Sequence, residues 1–173
     1  VTVLGKILGG GFGLAAFGGS REVMRLEAEN RVVHGGTTTG SPVALAAACA
    51  ILERIRDDDG LYGPLEARSA ALAAGVEEAF REAGVPGHVR RAGSMLQPFF
   101  SPRPAREPRD LAEVSALQDA SRFAALCDAL EERGVYGHRY PLGRWFVSAA
   151  HTDEDVVATV TAVRGALAAL PAG

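Results

Sequence analysis

The amino-acid sequence predicts a mixed α/β chain, and three observations carry that prediction. The first nineteen residues, VTVLGKILGGGFGLAAFGG, join a β-rich start to a glycine density that marks tight turns and close backbone approach. A loop of glycines and hydroxyls, His34-Gly35-Gly36-Thr37-Thr38-Thr39-Gly40, then runs directly into an apolar helical stretch. The rest of the chain alternates helical periods with short β-rich runs and has no internal repeats. With 173 residues, 47% hydrophobic and 23% charged, the chain is long enough to bury a core and globular in composition.

Residues 1–4 read as a strand already in progress, with no cap or polar lead-in, which predicts a chain that begins within a domain. A turn at Gly5-Lys6, a glycine-rich loop and a strand near 13–17 follow. Ser20 is placed to cap a short helix over 21–26, with Glu22 in the first turn where a negative charge suits the helix dipole. Ser41 caps the next helix, 43–56, and Pro42 sits at its first position. That helix is mostly Ala, Leu and Ile with almost no polar face in its first half, which predicts burial on nearly all sides.

Asp57-Asp58-Asp59-Gly60 ends the apolar helix, and a boundary is expected near 56–60 because the segment before it cannot bury its own faces. An amphipathic helix over 61–83 stops at Gly84, and strands over 88–91 and 95–101 flank Gly93. The proline-rich stretch 101–108 reads as a solvated loop. A helix over 110–133 closes at Gly134, with strands near 135–137 and 145–149 beyond it. The last helix, 153–170, has Thr152 as N-cap and Asp155 as its N3 acid. Phe80, Phe123, Trp145 and Phe146 read as packing residues, and Cys49 and Cys127 as small buried hydrophobes rather than a disulfide or zinc pair.

A net charge of −3 without a clustered basic face gives no footprint for nucleic acid or an acidic membrane. No apolar run approaches the ~18–20 residues of a membrane span, and no signal-like segment is present. These features predict a cytoplasmic chain with a small-molecule or protein partner.

Lys6 is the only lysine, set among apolar residues and glycines. A desolvated ammonium loses its proton more readily and becomes a nucleophile toward a carbonyl, whereas a lysine at a strand end also commonly snorkels to solvent. The Thr37-Thr38-Thr39 loop before a helix N-terminus suits a phosphate, though hydroxyls there also serve simply as caps. The Gly9-Gly10-Gly11 run follows the lysine rather than preceding it, so the nucleotide P-loop pattern fails. His34, His88, His138 and His151 show no metal-ligand spacing. Arg139 and Arg144 flank Tyr140 and could hold a carboxylate as a fork or lie on the surface.

LGKILGGGFGLAAFGGSREVM resembles the lysine segment of the class III pyridoxal-phosphate-dependent aminotransferases, and HGGTTTGSPVALAAA resembles their later threonine loop. AGSMLQPFFS, EERGVY and FVSAAHTDEDV extend the resemblance toward the end of the chain, nearest to the family's aminomutase branch. The resemblance implies the C-terminal part of a fold-type I pyridoxal-phosphate-dependent transferase. Residues 1–58 would form the end of the large cofactor-binding domain and 59–173 the small α+β C-terminal domain.

By the same resemblance Lys6 is the Schiff-base lysine for pyridoxal 5'-phosphate and also moves protons. Thr37 contacts the cofactor phosphate from the neighbouring subunit of a homodimer, and Gly36 allows that approach. The implied activity is amino-group transfer on an amino acid or amine, as an aminomutase or an aminotransferase. Departures occur at Gly13, Ala15 and Ser41, and Gly143-Arg144 stand where the aminomutase branch carries an acid, which leaves the substrate open. The family's first half, with its second phosphate loop, its ring-stacking aromatic and the aspartate for the ring nitrogen, has no counterpart in this sequence. A fragment inactive without a missing N-terminal half is therefore expected; the alternative is a non-catalytic module that dimerises through the apolar helix.

Overall fold

Thr2–Leu4 (β1) and Ala16–Gly18 (β2) pair antiparallel, with Val3 opposite Phe17. Between them the chain makes a 3-10 turn, Lys6–Gly9, closed by Gly10 in the left-handed region at φ 56°. The glycine-rich stretch therefore winds where an open loop was expected, and the second strand starts three residues later than expected. Ser20 accepts a bond from the Val23 amide and caps Arg21–Ala28 (α1). Pro42–Asp57 (α2) packs against the 3-10 turn, and a Cβ on Gly10 would meet Ile51 at 3.2 Å and Ala47 at 3.5 Å.

The computed structural model describes residues 1–106 and 108–170 and divides into two compact units, Val1–Asp59 and the chain from Gly60 onward. Glu107, in the stretch expected to be a loop, and the last three residues of the region expected to be a C-terminal domain lie outside the described residues.

The first unit corrects one expectation. Of α2 only Ala44 and Ala48 are buried, while Val43, Leu45, Leu52 and Cys49 are exposed. The 3-10 turn covers a single narrow stripe of small side chains, and no other element of this unit covers the remaining apolar surface.

The second unit has an ordinary core. Tyr62–Glu82 (α3) turns Leu72, Val76, Ala79 and Phe80 inward at helical spacing. Its last turn is closed by Gly84 at φ 64° and by the Val85 amide on the Phe80 carbonyl. His88–Ala92 (β3), Met95–Phe99 (β4) and Trp145–Phe146 (β5) form an antiparallel sheet in that order. Asp153–Ala169 (α6) carries the expected capping box, Thr152 receiving the Asp155 amide while Asp155 accepts from Thr152. Buried Phe123, Leu126 and Leu130 complete the core with Val163 and Leu167 of α6. The rings of Phe80 and Phe100 meet edge to face at 5.1 Å.

The single helix expected over 110–133 is two: Leu111–Ser115 (α4) and Ala120–Glu131 (α5). Two side chains impose the break. Gln118 accepts from the Phe100 amide and donates to the Pro98 and Pro141 carbonyls, and Asp119 caps α5 through the Ser121 and Arg122 amides. No strand forms over 135–137, and β5 is two residues rather than five. A turn in which Gly143 bonds to the Tyr140 carbonyl separates the two runs, and the ladder with β4 ends at Met95–Phe146. Trp145 packs on the core, whereas Phe146, on the opposite face, is 63% exposed. Cys127 is fully buried as expected, and burial pushes its thiol up.

Candidate functional site

Lys6 opens the 3-10 turn with φ 54°, one of two non-glycine residues in the left-handed region among the described residues. The other, Asn30, belongs to a type that tolerates it; a lysine there costs about 1–2 kcal/mol. Strain of that kind persists only where its surroundings impose it and gathers at functional positions. The side chain is exposed, and among the described residues no hydrogen bond or ion pair engages its ammonium.

The desolvated setting anticipated for Lys6 is therefore not found. The sheet it extends has two strands, both largely exposed, so nothing in this unit walls the lysine from water.

The threonine loop is a tight turn. The Thr39 amide donates to the Gly36 carbonyl at 3.0 Å, and the Ser41 amide to the Thr38 carbonyl at 3.2 Å. A Cβ on Gly36 would lie 3.2 Å from Thr39 Oγ1, so the absence of a side chain lets that hydroxyl approach the backbone. Ser41 precedes α2 but makes no side-chain capping bond, contrary to expectation. The hydroxyls of Thr37 and Thr38 are likewise unengaged among the described residues.

Thr38 and Thr39 line a groove of about 630 Å³ with Phe17, Met24, Glu27 and His34. His34 Nδ1 lies 3.4 Å from Glu27, and its ring meets Phe17 edge-on at 4.9 Å. Lys6, Gly36 and Thr37 are not among the residues lining this groove. The His34–Glu27 pair was not legible in the sequence, since six residues of helix end and loop separate the partners. The Arg139–Arg144 fork is not assembled: Arg139 is held by Asp128 and by Glu131 at 2.9 Å, whereas Arg144 has no such partner among the described residues. Also among the described residues, no group of three or more His, Cys, Asp or Glu could hold a metal ion, and no helix is long and apolar enough to cross a membrane.

The model of the family described as aminotransferase class-III matches residues 1–166. The chain belongs to that family. The glutamate-1-semialdehyde 2,1-aminomutase of Thermomicrobium roseum is 41% identical over 174 residues, a match covering 100% of this chain and 39% of the relative. A crystal structure of a glutamate-1-semialdehyde-aminomutase from Pseudomonas aeruginosa PAO1 superposes with a TM-score of 0.81 at 27% identity, covering 95% of this chain and 38% of that one. The FumI protein of Sphingopyxis sp. MTA144, whose structure holds pyridoxal phosphate, gives 0.76 at 29% identity, with 96% and 36% covered. This class III chain thus spans about two fifths of the length of the relatives it matches. Its fold is that of the C-terminal part of a fold-type I pyridoxal-phosphate-dependent transferase.

Proposed function

We propose that this chain is the lysine-bearing part of a pyridoxal-phosphate enzyme that transfers an amino group on a small amino acid or amine, as glutamate-1-semialdehyde 2,1-aminomutase or an aminotransferase does. The observation that carries the reading is Lys6, the only lysine, held in a left-handed backbone with its amine unengaged. A cofactor aldehyde requires a free amine, and an otherwise costly backbone conformation at that residue is the mark of a position fixed for function.

Lys6 would hold the cofactor covalently, and its Nζ, once released, would carry a proton between neighbouring positions of the substrate. Thr37, beside the side-chain-free Gly36, would donate to the phosphate of the partner subunit's cofactor, and its hydroxyl has no competing bond. Bound pyridoxal phosphate supplies the electron sink for this chemistry. In this reading residues 1–58 belong to the large domain and 59–173 are the small C-terminal domain. The exposed Val43, Leu45 and Leu52 of α2 would meet a second subunit or the complementary N-terminal half.

The chain alone would not turn over, since it spans only about two fifths of the length of the relatives it matches. The test is amino transfer by the chain combined with a polypeptide supplying the N-terminal half, wild type against Lys6→Ala. Activity restored only with the wild-type lysine supports the enzyme. Equal assembly of both forms without any transfer supports the second reading, a non-catalytic dimerisation module, which the exposed apolar face of α2 favours.

A further inference from the structure

In the second unit His88 opens β3 with its imidazole buried flat against the ring of Phe99, its neighbour across the ladder. Its Nδ1 lies 3.0 Å from the Ser101 carbonyl. A carbonyl only accepts, so Nδ1 carries the proton of the neutral ring and Nε2 is left as a bare acceptor. That Nε2 is buried and has no hydrogen-bond partner among the described residues.

Ser101 begins the segment 101–106, which leaves the sheet at the end of β4. Its own hydroxyl is buried and unpartnered among the described residues, so the residue is held through its carbonyl by His88. Two residues on, Arg103 reaches the Glu77 carboxylate of α3 and the Val89 carbonyl at 3.3 Å. The sheet itself is clamped elsewhere. Gln118 accepts the Phe100 amide at 2.9 Å and donates to the Pro98 carbonyl at 3.0 Å, and the Phe100 ring packs on Phe80. Residues up to Phe100 therefore keep their places if Ser101 is released.

A second proton on His88 upsets this arrangement. It would create an N–H at Nε2 in a buried position without an acceptor, on a cation withdrawn from water. Three charged groups face the ring. Glu77 of α3 favours the cation, whereas Arg103 of the segment and Arg90 of β3 itself oppose it, and β4 offers the uncharged Phe99 ring. Glu77 is already engaged, accepting the Val89 amide at 3.0 Å as well as Arg103. Burial outweighs its attraction and favours the neutral ring. The cation regains water by leaving the stack, and in leaving it drops the Ser101 carbonyl.

We propose that His88 is an acid-operated latch on segment 101–106: the neutral ring holds Ser101 against β3, and protonation turns it into solvent and frees the segment while the core stays packed. Glu113, clustered with Arg106 and Arg109, is held down to about 2 and stays charged while the histidine titrates. No residue of Val1–Asp59 takes part, so the latch stands apart from the pyridoxal-phosphate reading.

Solution NMR of the full chain reads both halves of the device. Amide relaxation of Ser101, Arg103, Ala105 and Arg106 should give order parameters near about 0.85 at about pH 7.5 and below about 0.6 at about pH 4.5. Those of α5 and α6 should not change. The midpoint should coincide with the titration of the His88 ring in the same samples. His88→Asn keeps a donor for the Ser101 carbonyl but does not titrate, and should abolish the pH dependence. Unchanged order in the wild type, a midpoint apart from the His88 titration, or an undiminished pH response in His88→Asn would overturn the proposal. Loss of order in α5 and α6 together with the segment would overturn it as well, as unfolding rather than unlatching. The coincidence is read in the wild type, so the proposal stands or falls even where the variant does not fold.

Discussion

Gly75 of α3 lies so close to Val160 of α6 that a Cβ built on it would overlap both valine methyl groups, one of them at 3.0 Å. The glycine is what lets the two helices approach there. Val160 is a stiff, β-branched and buried residue and cannot swing aside. Gly75→Ala should therefore destabilise the chain by about 1–3 kcal/mol despite alanine's better helix propensity, as urea unfolding would measure.

Gln118 ties the break between α4 and α5 to the end of β4 and to the loop at Pro141. Its amide oxygen also receives the Phe100 N–H at 2.9 Å. Gln118→Ala leaves these part-buried backbone groups without partners, and a loss of about 2–3 kcal/mol is expected in thermal or urea unfolding. Gln118→Glu keeps the acceptor for Phe100 but cannot donate to either carbonyl, so it should recover little of that loss.

Stability should fall with acid through two groups. His88 is 2% exposed, stacked on Phe99 at 5.0 Å, and its Nδ1–H donates to the Ser101 carbonyl. Burial, above all, pushes its imidazole below the ordinary value of 6.5. As pH drops below 6.5 the unfolded chain therefore takes up the proton before the folded one does. The contribution is intact above that pH and is lost as pH falls toward the depressed folded value. His88→Phe should flatten the stability curve over this interval. Glu113 is held down to about 2 by Arg106 and Arg109, so its contribution is full above 4.5 and disappears only between there and about 2. Unfolding curves for wild type, His88→Phe and Glu113→Gln across both intervals would check the assignment.

Much of this architecture was legible locally. Ser20 before α1, Thr152 with Asp155 before α6, and Gly84 after α3 act where the sequence put them, because each is a contact between residues no more than four or five apart. The helix break at Gln118 was hidden because the partners of its side chain are backbone groups 18–23 residues away, while the local period stays helical throughout. Cys49 misled for a related reason: an apolar helix face predicts burial but does not say that the covering surface belongs to the same unit. At Lys6 the residue type and its glycine neighbours were readable, whereas its left-handed backbone is a property of the folded turn.

That backbone makes its own prediction. If Lys6 is held at φ 54° at a cost, Lys6→Gly should be more stable than Lys6→Ala by about 1 kcal/mol, since alanine keeps the strain and glycine removes it at some entropic cost. Differential scanning calorimetry of the two variants measures this. Equal stabilities would remove the strain argument for a functional lysine.

We propose Lys6 as the residue that takes pyridoxal phosphate. The most direct measurement is to incubate the chain with pyridoxal phosphate, reduce with borohydride and map the cofactor-bearing peptide by mass spectrometry. Label confined to the peptide containing Lys6, and absent from Lys6→Ala, is the predicted result. Label spread to the amino terminus alone, or no label at the lysine, would contradict the account.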